Sequence, residues 1–404
     1  MFTFGRTLVA VIACLSAAGS AVAQDDPAKS PPDRLSAPLE WQAGEKLTFF
    51  GEVGFRAEYI ANEQFAENDS TADDDYFYRD RVRLRFGAEF SPRHWFTAGF
   101  RFSTGQSNYP ASGWSSFSDQ FRRDPVALDR VYINLNAGKF QLRMGGNANP
   151  MFRPTGLVWD EDVQPAGFAE TYRPGRWELV AGQFMISEVR STSGLDSGSF
   201  LFAHGVNYSP QIEGSITVGI FQYLYSNPDA IAAAIDDGLL DPDFKTNRIA
   251  PDDERRFFSG YNSVGGSLLY SRGMWRITGE VVLNLRANQD ASLGDAYAEK
   301  EDIGYGGLLR YGVLNEPGDW SVEAGYFHIE ADATIAAYNS DDLQQTNVNS
   351  VPVWLRLRLP GEANLVWDTY FQKRINTSLY LAGGNLHDEN ALKVRTRLTI
   401  SLGF

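Results

Sequence analysis

The sequence predicts an all-β fold, a transmembrane antiparallel β-barrel of about 16 strands (14–18) with short turns at one rim and long loops at the other. Three observations predict it. Apolar and polar residues alternate in runs of about ten. The links between runs alternate between short and long. No stretch after residue 23 supplies the ~20 apolar residues of a membrane-spanning helix.

The chain opens on an export signal. Met1 to Phe4 and Arg6 precede the apolar run TLVAVIACLSAAG, and Ala21-Val22-Ala23 forms a small-x-small cleavage pattern before Gln24. Residues 1–23 are read as signal peptide, 24–46 as a Pro-rich periplasmic lead-in and 47–404 as barrel. Cys14, the only cysteine, lies within the leader. Lipoprotein cleavage before Cys14 would leave an apolar core at the short end of what works, so cleavage after Ala23 is preferred. The mature chain then has neither disulfide nor thiolate chemistry. The formal net charge is -15, and losing Arg6 makes it one unit more negative. Such acidity argues against a nucleic-acid partner and fits loops kept soluble by self-repulsion.

The strand runs follow in order. RVRLRFGAEF (81–90) points Val82, Leu84, Phe86, Ala88 and Phe90 one way and Arg81, Arg83, Arg85 and Glu89 the other. The last run, KVRTRLTISLGF, opposes Val394, Leu398, Ile400, Leu402 and Phe404 to Lys393, Arg395 and Arg397. Similar runs begin near Leu47, Trp95, Ala127, Lys139, Ala166, Arg176, Phe200, Gly214, Ser259, Met274, Asp302, Trp320, Val351 and Ala363. Short turns fall at 91–94, 136–139, 173–176, 209–214, 271–274, 315–319 and 360–362. Long polar stretches lie between them, at 61–77, 104–125, 147–165, 227–257, 287–301, 332–350 and 376–390. Short periplasmic turns and long extracellular loops in strict alternation belong to outer-membrane barrels. Trp95, Trp177, Trp275 and Trp320 each sit just after a short turn, where an aromatic girdle belongs. A lipid-facing Arg near the midplane costs roughly 2–4 kcal/mol, so Arg81, Arg83 and Arg85 must face the lumen. Walls so charged call for water, and the lumen is expected to be a channel rather than a packed core.

Two stretches carry a family likeness. RDRVRLRFGAEFSPRHWFTAGFRFSTG (79–105) resembles the second and third strands of the putative porin family of Gram-negative bacteria, and NPMFRPTGLVWDEDVQPAGFAETY (149–172) is similar to its third-loop region. LDRVYINL (128–135), between them, fits as well, so the resemblance is clear over 79–175. It implies a general diffusion channel in the outer membrane and supplies no site residues.

The site expected on these grounds is a basic wall of Arg356, Arg358, Arg395 and Arg397, with Lys393, continuing across the barrel closure to Arg81, Arg83, Arg85, Arg101, Arg130 and Arg143. By analogy with general porins, loop 147–165 would enter the lumen and hold Trp159, Asp160, Glu161 and Asp162 across a constriction from that wall, giving a transverse field and an anion preference. The competing reading pairs the arginines with inward acids such as Glu52, Glu89, Glu280 and Glu323, bracing the wall.

Catalytic and metal motifs are missing: His94, His204, His328 and His387 stand far apart, and no nucleophile elbow, P-loop or dinucleotide fingerprint occurs. No enzyme activity, cofactor or metal is expected. The acid runs 73–75, 236–237, 252–254 and 341–342 read as solvated loop charge before they read as divalent-cation sites. Expected partners are membrane lipid and lipopolysaccharide, the outer-membrane assembly machinery through a last strand ending in Phe404, and further copies in a homotrimer. A substrate-specific channel for organic anions or sugars is the alternative, with a barrel enzyme or adhesin behind it.

Overall fold

The computed structural model describes residues 46–61, 76–105, 113–116, 125–187, 198–210, 214–240, 246–343, 345–376, 380–381, 384–385 and 390–403. The leader, the lead-in, Phe404, His387 and the acid run 73–75 lie outside the described residues.

Sixteen strands form the barrel. They are β1 Lys46–Ala61, β2 Tyr76–Arg93, β3 Phe96–Thr104, β4 Val126–Ala137, β5 Phe140–Gly146, β6 Ala166–Tyr172, β7 Trp177–Ser187 and β8 Ser199–Tyr208. There follow β9 Ser215–Tyr225, β10 Asn262–Arg272, β11 Trp275–Asn284, β12 Ile303–Gly312, β13 Trp320–Ile329, β14 Val348–Leu359, β15 Ala363–Arg374 and β16 Asn390–Gly403. Each strand pairs antiparallel with its sequence neighbours, and β16 closes on β1 from Phe50↔Gly403 to Ala61↔Leu392. Closure leaves no sheet edge, as lipid requires. Short turns join the strands in pairs at one rim; Gly273 (φ 58°) and Gly361 (φ 70°) take the left-handed backbone that two of these turns need.

Period 2 sets the two faces. Phe49, Phe55, Leu84, Phe86, Phe100, Val131, Phe168, Ile220, Val281 and Leu355 are all exposed on the outside. An apolar surface carried on strand after strand has lipid as its natural solvent. Trp177, Trp275 and Trp320 open β7, β11 and β13 and lie half-exposed beside the short turns. Trp177 packs on Tyr208 (centroids 4.6 Å apart), and Tyr311 sits between Trp275 (4.8 Å) and Trp320 (6.1 Å). Trp95 lies in its turn rather than in the strand after it, because β2 runs on to Arg93.

The interior departs from the expectation of a charged, water-filled lumen all round. β14 to β16 and β1 to β4 turn charged side chains inward. In contrast, β7 to β13 turn in Val180, Phe184, Leu201, Ala203, Phe221, Tyr223, Val282, Phe327 and Ile329, all buried. Strands such as SFLFAHGVNY (199–208) are apolar on both faces, one side meeting lipid and the other a packed core. Loop 147–165 supplies Leu157, Val158, Trp159 and Val163 to that core, and the segment between β13 and β14 adds Ala333, Ile335, Ala337 and Leu343. The sequence places 332–350 among the long external loops. The structure corrects this: nearly all of that segment is buried, and Asn247 Nδ2 donates to the carbonyls of Ala331 (2.5 Å) and Thr334 (2.7 Å).

The candidate pore constriction

The charged arc is built on β2 and β16, where Arg79 to Arg85 and Lys393 to Arg397 place a basic residue on the inner face at every second position. Arg83 Nε donates to Glu52 at 2.5 Å, and its Nη1 lies 3.3 Å from Asp162. Arg85 Nη2 donates to Asp162 at 2.5 Å. Arg81 donates to the Trp114 carbonyl at 2.7 Å. The guanidiniums of Arg56 (4.9 Å) and Arg83 (4.7 Å) both lie over the Trp114 ring. Across the closure, Arg395 donates to Asp368 at 2.5 Å, to the Tyr370 hydroxyl at 2.6 Å and to Asp342. Arg397 meets the other oxygen of Asp368 at 2.8 Å.

Loop 147–165 spans the lumen. Asn149 Nδ2 donates to Tyr223 of β9 at 3.2 Å, and the hydroxyl of Thr155 bonds Glu280 of β11. At its far end Asp162 reaches β2. Between these anchors the loop is held to the segment between β13 and β14. The Asp160 N–H donates to the Tyr338 carbonyl at 2.7 Å, the Ser340 N–H to the Gly156 carbonyl at 3.0 Å, and Trp159 stacks on Tyr338 at 5.1 Å. A second lock lies behind: Arg248 and Asp332, both fully buried, pair at 2.9 Å.

Electrostatics differ between Asp160 and Asp162 of the loop. Burial alone would raise Asp162, but Arg85 and Arg83 override it and hold its carboxyl near 2. Burial pushes Asp160 well above the ordinary carboxylate range, reinforced by neighbouring Asp162 and Asp341. Asp341 rises to about 6 through burial and the adjacent Asp342. Asp342 goes the other way: burial opposes, yet Arg395 holds it well below the usual value. Asp342 is therefore a partly buried group tied to the wall by Arg395, with Asp341, also partly buried, beside it.

The predicted residues thus fall into groups. Arg83 and Arg85 meet Asp162 in direct contact rather than across a gap. Glu161 is exposed, and Trp159 turns away from the wall into the apolar core. Arg101 makes a fork with Asp129 (2.6–3.1 Å) on the same arc. Arg143 donates to the Ala148 carbonyl at 2.9 Å, at the root of the loop, and Arg130 stands two residues from Tyr132, whose hydroxyl binds Glu89 at 2.7 Å. Arg356 pairs with Glu323 at 2.6 Å and Arg358 with Glu362, both toward the short-turn rim. Of the four acids weighed as braces, Glu52 and Glu323 do pair with arginines, whereas Glu89 and Glu280 bond Tyr132 and Thr155. Sequence reading missed Arg56, Glu58, Asp129, Asp342 and Asp368. Arg56 and Glu58 were within reach, since they share the inward period-2 register of Glu52.

A closed antiparallel barrel with an apolar exterior, a basic inner wall and an infolded third loop defines a porin, a channel protein of the Gram-negative outer membrane. Residues 50–247 match the family model described as putative porin. The fold is similar to that of Salmonella typhi OmpF in complex with daunomycin: TM-score 0.52, 11% identity, covering 89% of this chain and 98% of that one. It is also similar to Pseudomonas putida OprB in a high-pH structure: TM-score 0.52, 12% identity, covering 88% and 94%. No curated protein matches the chain.

Proposed function

We propose that this porin passes small hydrophilic solutes by passive diffusion and prefers anions, with its narrowest passage between the basic wall and the aqueous side of loop 147–165. The observation carrying this reading is the sharing of carboxylates. Arg56, Arg79 and Arg81 all reach the one carboxylate of Glu58 (2.7–4.0 Å), whereas Arg83 and Arg85 have Glu52 and Asp162 between them and Arg395 and Arg397 have Asp342 and Asp368. Positive charge is left over on the wall, in a narrow, low-dielectric passage where it counts most. The negative net charge of the whole chain does not oppose this, because loop charge is screened within roughly 8–10 Å at physiological salt. Purified protein in planar bilayers should give ohmic channels that pass chloride more readily than potassium. Channels with no anion preference would overturn the selectivity reading; absence of conductance would overturn the passive channel.

The same reading takes the short-turn rim as periplasmic and the long-loop rim as extracellular, with residues 1–23 removed on export. Cysteines introduced at 227–230 should react with a membrane-impermeant reagent on intact cells, and cysteines at 271–274 should not. The barrel would sit in lipid and lipopolysaccharide as a homotrimer, its last strand serving as the assembly signal; deleting Gly403 and Phe404 should leave the chain degraded or aggregated in the periplasm. A substrate-specific channel is the second reading. Competitive block by one organic anion or sugar at low concentration would favour it.

A further inference from the structure

Cross-strand arginine pairs occur four times on the inner wall: Arg56/Arg81, Arg56/Arg397, Arg101/Arg130 and Arg276/Arg310. Like charges directly opposite on a sheet repel, so each pair needs a counter-charge. The first three have one: Glu58 contacts Arg56 (3.2 Å), Asp368 contacts Arg397 (2.8 Å) and Asp129 contacts Arg101 (2.6 Å). The fourth does not. Among the described residues, neither Arg276 nor Arg310 makes a hydrogen bond or an ion pair. The carboxylate beside them, Glu323 in register with Arg310, is engaged by Arg356 at 2.6 Å. Three guanidiniums thus surround one carboxylate. Arg310 Nε is also buried without a partner, while both side chains keep partial solvent access.

We infer that Arg276 and Arg310, flanked by Arg356, form a binding site for a divalent oxyanion at the short-turn end of the lumen. Two planar guanidiniums on adjacent strands present fork geometry to an anion with two or more oxygens, which a halide cannot match. Phosphate, sulfate and small dicarboxylates share this chemistry. Arg276 is the second residue of β11 after the 273–274 turn, and Arg310 stands two residues before the end of β12. The site therefore sits at the opposite end of β11 and β12 from the strand ends joined by long loops, apart from the Asp162 contacts. It rests on the channel reading for access but not on the basic wall.

The test uses the whole barrel in two assays. In bilayers carrying chloride current, inorganic phosphate or succinate is added from one side at a time; in detergent, phosphate binding is followed by titration calorimetry. The parent should be blocked at lower phosphate concentration from the short-turn side. Arg276→Ser with Arg310→Ser should raise the half-blocking concentration and the dissociation constant by about tenfold, while Arg276→Lys with Arg310→Lys should restore part of the loss. Stronger block by succinate than by phosphate assigns the site to dicarboxylates, the reverse to inorganic oxyanions. Unchanged phosphate binding in the double Ser variant overturns the proposal. If the protein does not conduct, the channel reading fails and calorimetry still decides the site.

Discussion

The two halves of the barrel interior solve the same problem with different chemistry. On the apolar arc, β7 to β13 meet loop 147–165 and the segment after β13 through Leu201, Tyr223, Phe327, Trp159 and Ile335, so the long-loop end of this half is filled by packing, while Arg276, Arg310 and Glu323 stay partly accessible toward the short turns. On the charged arc, β14 to β4 keep buried guanidiniums in place through carboxylates that arrive from other elements. Packing fixes where the loop sits; charge sets what passes beside it. The difference teaches that the infolded loop is a two-faced device, anchored by Trp159 on one side and presenting Asp162 on the other.

The comparison can be broken most severely at Arg395, which holds Asp368, Asp342 and Tyr370 at once. Arg395→Ala leaves fully buried Asp368 short of its principal partner and should destabilise the barrel by about 3–5 kcal/mol, read as a shift in the urea unfolding midpoint in detergent. On the apolar arc, Leu201→Ala should cost about 2–5 kcal/mol and leave ion selectivity unchanged. A selectivity change there would erase the division of labour.

A smaller effect comes from pH. Asp341, raised to about 6, keeps a proton in the folded chain that the unfolded chain has lost. Its contribution is therefore complete below about pH 4 and disappears as pH rises through 6. Asp162, near 2, works in the opposite window: its contribution is complete above about pH 4 and is lost as pH falls toward 2. Asp341→Asn should flatten the pH 4–6 limb of the stability curve, by about 1–3 kcal/mol across the window, and leave the acid limb in place. Smallest of all is Arg358→Ser: its partner Glu362 is more than half exposed, so the change should be about 0–1 kcal/mol.

Much of the barrel was legible because lipid enforces a simple rule: period-2 runs outward, short and long links in turn. All sixteen runs seen in the sequence are strands, mostly within three residues of their observed starts. The arginines of β2 and β16 declared their face for the same reason. What stayed hidden is what sequence distance hides. Asp162 reaches Arg85 from 77 positions away and Asp342 reaches Arg395 from 53, and no local pattern announces such pairs. The segment ADATIAAYNSDDL (331–343) reads as a polar loop because its apolar residues are small; only tertiary packing against Gly304 and Ser263 turns it inward. Strands apolar on both faces give no hint of which side lines the lumen.

The central claim is that leftover positive charge on the arginine arc governs permeation. The most direct test is the reversal potential across a potassium chloride gradient, for the parent and for the triple variant Arg81→Ser, Arg83→Ser, Arg85→Ser. The parent should be anion-selective at low salt, and the triple variant should shift clearly toward cations. A parent already cation-selective, with a reversal potential that the triple change leaves unmoved, would contradict the account.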